Sequence, residues 1–165
     1  MVNAPNVLTI ARILGIPIFL VLLASSLPRW IPTLVFCILA ATDLVDGRLA
    51  RRKGKVTRSG AVLDPLADKL LVSAALVFLI GKGVDAWMAY VIVAREFMVT
   101  ALRLIAPSII HAKKLGKWKT FVQNCAIVAV LLSAAYAWWF MLAATVLTIV
   151  SGLEYVWIAR KQLKF

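Results

Sequence analysis

Acidic residues are scarce in this chain. Of its 165 residues only 7 are Asp or Glu, against 19 Lys or Arg, a formal net charge of +12. In a soluble domain that balance would point to nucleic acid. Here the cations cluster between apolar runs, which suits an anionic membrane surface or acidic substrates instead. Histidine and cysteine are also sparse. His111 reads as a solvated loop residue, and Cys37 and Cys125 lie inside apolar runs with no partner at metal-ligand spacing, so both read as small buried hydrophobes. No internal repeat, low-complexity linker or compositional break divides the chain, and a single integral membrane domain over residues 1–165 is expected.

Apolar sequence is what the chain has in abundance. It is 63% hydrophobic, and its mean hydropathy is +0.94. A soluble domain this apolar would expose large sticky patches. Six runs of roughly the 20 residues that cross a bilayer recur. They are Val7–Leu27, Ile31–Arg51, Gly60–Ile80, Ala86–Ala106, Trp118–Ala137 and Trp139–Ala159. Pro28 and Pro32, Gly81 and Gly83, and Pro107 punctuate the joints, Pro32 falling in a first helical turn where its missing N–H costs little. The fold class expected is all-α, a polytopic membrane protein with six transmembrane helices. The first run is read as a span rather than a signal peptide because of its length.

Cations accumulate after the second run (Arg51, Arg52, Lys53, Lys55, Arg58), after the fourth (Lys113, Lys114, Lys117, Lys119) and in the tail (Arg160, Lys161, Lys164). Only Arg29 and Lys82 lie on the other side. The positive-inside rule then puts both termini in the cytoplasm, as an even number of spans requires. Trp118, Trp138, Trp139 and Trp157 are expected to form interfacial belts.

Against this background, "ATDLVDGRLARRKGKVTRSGAVLDPLADK" holds Asp43, Asp46, Asp64 and Asp68, most of the acid in the chain. A bare carboxylate at a bilayer centre costs about 2.5–3.5 kcal/mol, so four must be offset. A cytoplasm-facing cavity holding metal cations is the simplest offset. Asp43, Asp46, Gly47 and Ala50 follow i, i+3, i+4, i+7 and share a helix face, and Gly60, Asp64 and Asp68 follow i, i+4, i+8 on the next helix. The short connection makes the two helices antiparallel neighbours, so four carboxylates can converge. Gly47, Ala50 and Gly60 leave room for a ligand or for close helix packing. Oxygen-only ligands favour Mg²⁺ or Mn²⁺, and four carboxylates suit two ions, an arrangement that clamps phosphoryl transfer. Arg51 and the basic loop would face phosphate oxygens, although topology alone also explains Arg52, Lys53 and Lys55.

The spacing D-x2-D-G-x2-A-R-x8-G-x3-D-x3-D, met here by Asp43, Asp46, Gly47, Ala50, Arg51, Gly60, Asp64 and Asp68, resembles the signature of the CDP-alcohol phosphatidyltransferases. The resemblance implies a six-helix membrane fold with a two-metal site, a CDP-linked donor, attack by an alcohol and departure of CMP. It implies metal ligation by all four aspartates, with Asp68 also serving as the base, and a homodimer. "NVLTIARILGIP" (with Thr9 and Arg12), "VAREFMVTALR" (Arg95, Glu96, Arg103) and "LGKWKTFVQ" (Gly116, Lys117, Lys119, Thr120, Gln123) resemble the branch of that family that passes a phosphatidyl group from CDP-diacylglycerol to sn-glycerol 3-phosphate. "HAKK" before Gly116 departs from the small residues expected there. On this resemblance Thr9, Arg12, Gly47, Ala50, Arg51 and Gly60 bind the donor nucleotide, and Arg95, Arg103, Lys117 and Lys119 the acceptor phosphate.

Arg95 falls mid-span, where snorkelling cannot excuse it. Because adjacent helical residues diverge, Arg95 is not expected to face Glu96 and should pair with a carboxylate from another helix. Lys69 points away from Asp68, and Glu154 could pair with a tail cation. Two rival readings remain: a family member using phosphatidylglycerol as acceptor, and a divalent-cation carrier, since intramembrane acids also mark ion pathways. A carrier should repeat its acids in both halves, whereas this chain keeps them in spans two and three.

Overall fold

A computed structural model of the chain describes residues 4–53, 58–105 and 114–162. All six named elements are α-helices, as expected, and among the described residues the only strand-like pairing is an isolated bridge between Ile80 and Val84. The chain divides into two compact units, Met1–Phe78 and Leu79–Phe165.

The first unit holds α1 (Ala4–Ala24), α2 (Trp30–Lys53) and α3 (Arg58–Phe78). Helix α1 packs on both α2 and α3, which also touch each other. Its buried face is Arg12, Ile16 and Phe19, spaced at i, i+4, i+7. Phe19 meets Phe36 of α2 with ring centroids 5.7 Å apart, and a Cβ on Gly15 would come within 2.7 Å of the Leu39 side chain, so glycine lets α1 and α2 approach closely. The opposite face, Ile10, Leu14, Ile18 and Val21, is apolar yet exposed. Pro17 lies within α1, and Pro32 occupies the first turn of α2 as the sequence predicts.

The second unit holds α4 (Ala86–Ile105), α5 (Lys114–Leu131) and α6 (Ala137–Gln162), with α6 packed against both others. Asp85 caps α4: its carbonyl accepts the Ala89 N–H at 3.1 Å, and its carboxylate accepts the Trp138 indole N–H at 3.0 Å. Gly81 and Gly83 take positive φ in the turn before α4, a conformation that glycine adopts without steric cost.

Two expectations from sequence are corrected here. The fifth helix ends at Leu131, not Ala137. Ala134 N–H bonds the Ala129 carbonyl and Ser133 N–H the Val130 carbonyl, both at 2.9 Å, with Ser133 at φ 54°. That is a Schellman stop with serine where glycine is usual, so no glycine or proline advertises it. Cys37 and Cys125 are exposed, not buried. They share outward faces with Leu34 and Ile38 and with Phe121, because in this molecule the outside is apolar.

The segment Ala137–Ile158 is both long and apolar enough to cross a membrane. Shorter apolar stretches occupy Ile10–Ala24, Trp30–Thr42, Lys69–Phe78 and Trp118–Leu131. An apolar core also encloses several polar and charged side chains, and much of the surface is apolar as well. Arg12, Arg95, Glu96, Lys119, Gln123, Thr145, Thr148 and Ser151 are buried, while Trp30, Tyr90, Phe121, Trp139 and Trp157 are each more than half exposed. Trp118 and Trp138 also reach the surface, as a belt requires.

Candidate active site

The signature positions fall on two helices packed against one another. Asp43, Asp46, Gly47, Ala50 and Arg51 belong to the carboxyl-terminal half of α2, and Gly60, Asp64 and Asp68 to the first half of α3. Their placement on consecutive helices agrees with the sequence reading. Their side chains, like those of Thr9, Arg103 and Lys117, lie outside the described residues, as does His111 entirely.

Arg12 is described, and it is 1% exposed. Its Nε makes a long contact of 3.5 Å to Thr42 Oγ1, the residue before Asp43, and the Thr42 hydroxyl donates in turn to the Leu39 carbonyl at 2.7 Å. The guanidinium of α1 is therefore delivered to the point on α2 where the acidic signature begins. A guanidinium there is a ready donor to anionic oxygens.

In the second unit a buried polar cluster joins all three helices. Glu96 of α4 accepts an ion pair from Lys119 of α5, and Arg95 Nη1 reaches the same Glu96 oxygen at 3.3 Å. Arg95 Nη2 donates to Ser151 Oγ of α6 at 2.6 Å, and its Cζ lies 5.4 Å from the centre of the Tyr155 ring. Lys119 is 2% exposed and Glu96 4%. Arg95 thus does face Glu96, against expectation. Adjacent Cα–Cβ vectors diverge on a helix, but a long arginine stem can fold its flexible end back to the neighbouring carboxylate. Gln123, one turn beyond Lys119, buries a side-chain oxygen with no hydrogen-bond partner.

Sequence reasoning singled out Arg95 and Lys119, and the structure brings them onto one carboxylate. It missed Ser151 and Tyr155. A serine in an apolar helix reads as packing, and the only available signal was that Ser151 and Tyr155 stand four apart on one face.

Comparison with known proteins gives this arrangement its class. The sequence profile described as CDP-alcohol phosphatidyltransferase matches residues 2–150, and the chain belongs to that membrane-associated family. Among its relatives, the CDP-diacylglycerol–glycerol-3-phosphate 3-phosphatidyltransferase of Bacillus subtilis (strain 168) is 41% identical, with 94% of each chain aligned. The protein of the same name from Pseudomonas fluorescens is 39% identical over 92% of this chain and 84% of its own. A probable phosphatidylglycerophosphate synthase of Mycobacterium tuberculosis (strain ATCC 25618 / H37Rv) is 38% identical over 93% of this chain and 80% of its own.

Proposed function

We propose that this protein transfers the phosphatidyl group of CDP-diacylglycerol to sn-glycerol 3-phosphate, giving phosphatidylglycerophosphate and CMP in phospholipid biosynthesis. The near full-length likeness to relatives named for that activity carries the reading. The whole chain, residues 1–165, acts as one integral membrane catalytic domain. Its six helices cross the cytoplasmic membrane with both termini inside. Apolar outer faces on α1, α4, α5 and α6, beside charged side chains buried within the helices' packing, support this.

The donor set of the signature is four carboxylates and no sulfur or imidazole, which fits hard divalent cations, and the family generally uses divalent cations. Asp43, Asp46, Asp64 and Asp68 would hold two Mg²⁺ or Mn²⁺ ions. When bound, these would offset carboxylate charge and polarise the phosphoryl group. The remaining chemistry belongs to the chain. Thr9, Arg12, Gly47, Ala50, Arg51 and Gly60 hold the nucleotide end of the donor. Arg95, Arg103, Lys117 and Lys119 hold the acceptor phosphate. Asp68 takes the proton of the acceptor's 1-hydroxyl. That oxygen attacks the phosphatidyl phosphorus, a new P–O bond forms, and the P–O bond to CMP breaks with both electrons leaving on CMP. The active unit is a homodimer in the bilayer.

The test is an assay of purified protein with CDP-diacylglycerol and a panel of acceptors, following CMP release and the lipid product. sn-Glycerol 3-phosphate should be the preferred acceptor and free glycerol a very poor one. Preference for phosphatidylglycerol would replace this reading with that of a cardiolipin synthase. Excess EDTA should abolish CMP release, and Mg²⁺ or Mn²⁺ should restore it. Full activity in chelator would exclude the two-metal reading.

A further inference from the structure

Thr148, Ser151, Gly152 and Tyr155 of α6 follow i, i+3, i+4, i+7, share one helix face and are all buried. Three of them meet the same side chain. The Ser151 hydroxyl donates to the Thr148 carbonyl at 3.4 Å, which leaves its lone pairs to accept the 2.6 Å hydrogen bond from Arg95 Nη2. Gly152 gives the arginine stem its passage, since a Cβ there would stand 3.1 Å from Arg95 Cγ and 3.7 Å from Nε. The Tyr155 ring, 2% exposed, presents its π-system to the guanidinium 5.4 Å away. A hydrogen bond, a close approach and a cation–π contact thus converge on one cation. Ser151, Gly152 and Tyr155 all lie beyond residue 150, where the match to the family profile stops.

We infer that Ser151, Gly152 and Tyr155 form a seat on α6 that orients Arg95 before the acceptor arrives. The inference rests on the proposed role of Arg95 in holding the acceptor phosphate. Arginine has a long, rotamer-rich side chain, and ordering it on binding subtracts from affinity. Glu96 fixes one end of the fork from α4 itself, and α6 fixes the other end, the stem and the face. A guanidinium held on all these sides meets a phosphate with little left to order. These three are positioning residues: none touches substrate, and each acts through Arg95.

The test uses the full chain in detergent and measures equilibrium binding of sn-glycerol 3-phosphate, which needs no turnover, together with the KM for CDP-diacylglycerol. Ser151→Ala removes a hydrogen bond to a charged group and should weaken acceptor binding by about 10- to 100-fold. Gly152→Ala should weaken it in the same direction, and both should leave the donor KM unchanged. In an Arg95→Lys background, which lacks the fork, the Ser151→Ala loss should shrink or vanish. A loss of the same size in that background would overturn the inference, because α6 would then act by another route. Unchanged acceptor binding in the Ser151 and Gly152 variants, beside impaired binding in Arg95→Ala, would overturn the seat and leave the acceptor role of Arg95 standing. Normal acceptor binding in Arg95→Ala would overturn both. If Ser151→Ala does not fold, Tyr155→Leu, which removes the π-face, takes its place with the same expected selectivity and the same overturning result.

Discussion

Four carboxylates in an apolar chain have to be useful at the scale of single atoms, and their roles separate by substitution. If Asp43 and Asp64 hold metal as proposed, Asp43→Asn and Asp64→Asn each remove a ligand charge while keeping shape, so turnover should vanish while the protein stays extractable and monodisperse. Wild-type rates in either variant would remove that residue from the site. Asp68 is read as both ligand and base, so Asp68→Asn should cut kcat by about 10²–10⁴-fold or more while donor binding changes far less. A defect fully cured by added metal would mean that Asp68 is a ligand only. Lys119 tests the acceptor. A phosphate monoester carries close to two negative charges near neutral pH, and a charge-assisted contact contributes about 1.5–3 kcal/mol. Lys119→Ala and Arg103→Ala should therefore each raise the KM for sn-glycerol 3-phosphate by roughly 10- to 100-fold and spare that for CDP-diacylglycerol. Normal acceptor KM values in both would end the glycerophosphate assignment. Lys119 also shares buried Glu96 with Arg95, so its loss should lower thermal stability as well, whereas a surface lysine pair would give almost nothing.

At the scale of the helix, hydropathy revealed the number and order of the elements but not every end. All six helices were legible because the runs are near bilayer length and proline, glycine or cations mark four of the five joints. The end of α5 was not legible, because "LLSAAYAWW" stays apolar straight through the turn. What stops the helix is backbone geometry at Ser133, held at φ 54° by two capping hydrogen bonds. The left-handed conformation costs an L-residue with a Cβ about 1–2 kcal/mol. Ser133→Gly should remove part of that cost and raise the melting temperature, and Ser133→Val should lower it. The reverse order in a thermal melt would mean that the turn is held by something other than its backbone. The site was legible in the same uneven way. Aspartates in a membrane-like run are conspicuous because they are expensive there. The partners of Arg95 were not, because a folded-back stem leaves no mark in sequence and a small-residue face on an apolar helix reads as packing.

For the whole molecule, the decisive feature is which way the polarity points. Cys37 and Cys125 were first read as buried because a cysteine in an apolar run normally faces a core. Both are exposed instead, Cys37 beside outward Leu34 and Ile38, and Cys125 one turn from outward Phe121. That makes the two thiols probes of what lies outside the protein. If these faces met water, a water-soluble maleimide would modify both cysteines within minutes near neutral pH. If lipid covers them, a water-soluble reagent cannot reach them. In intact membranes neither cysteine should be labelled, and both should be labelled after unfolding in SDS, as followed by mass spectrometry of the intact chain. Lys82→Cys, in the exposed turn before α4, should label in the same membranes and serves as the positive control. Rapid labelling of Cys37 and Cys125 in native membranes would put their helix faces in water, and the six-span arrangement would have to be abandoned even if the transferase activity stood.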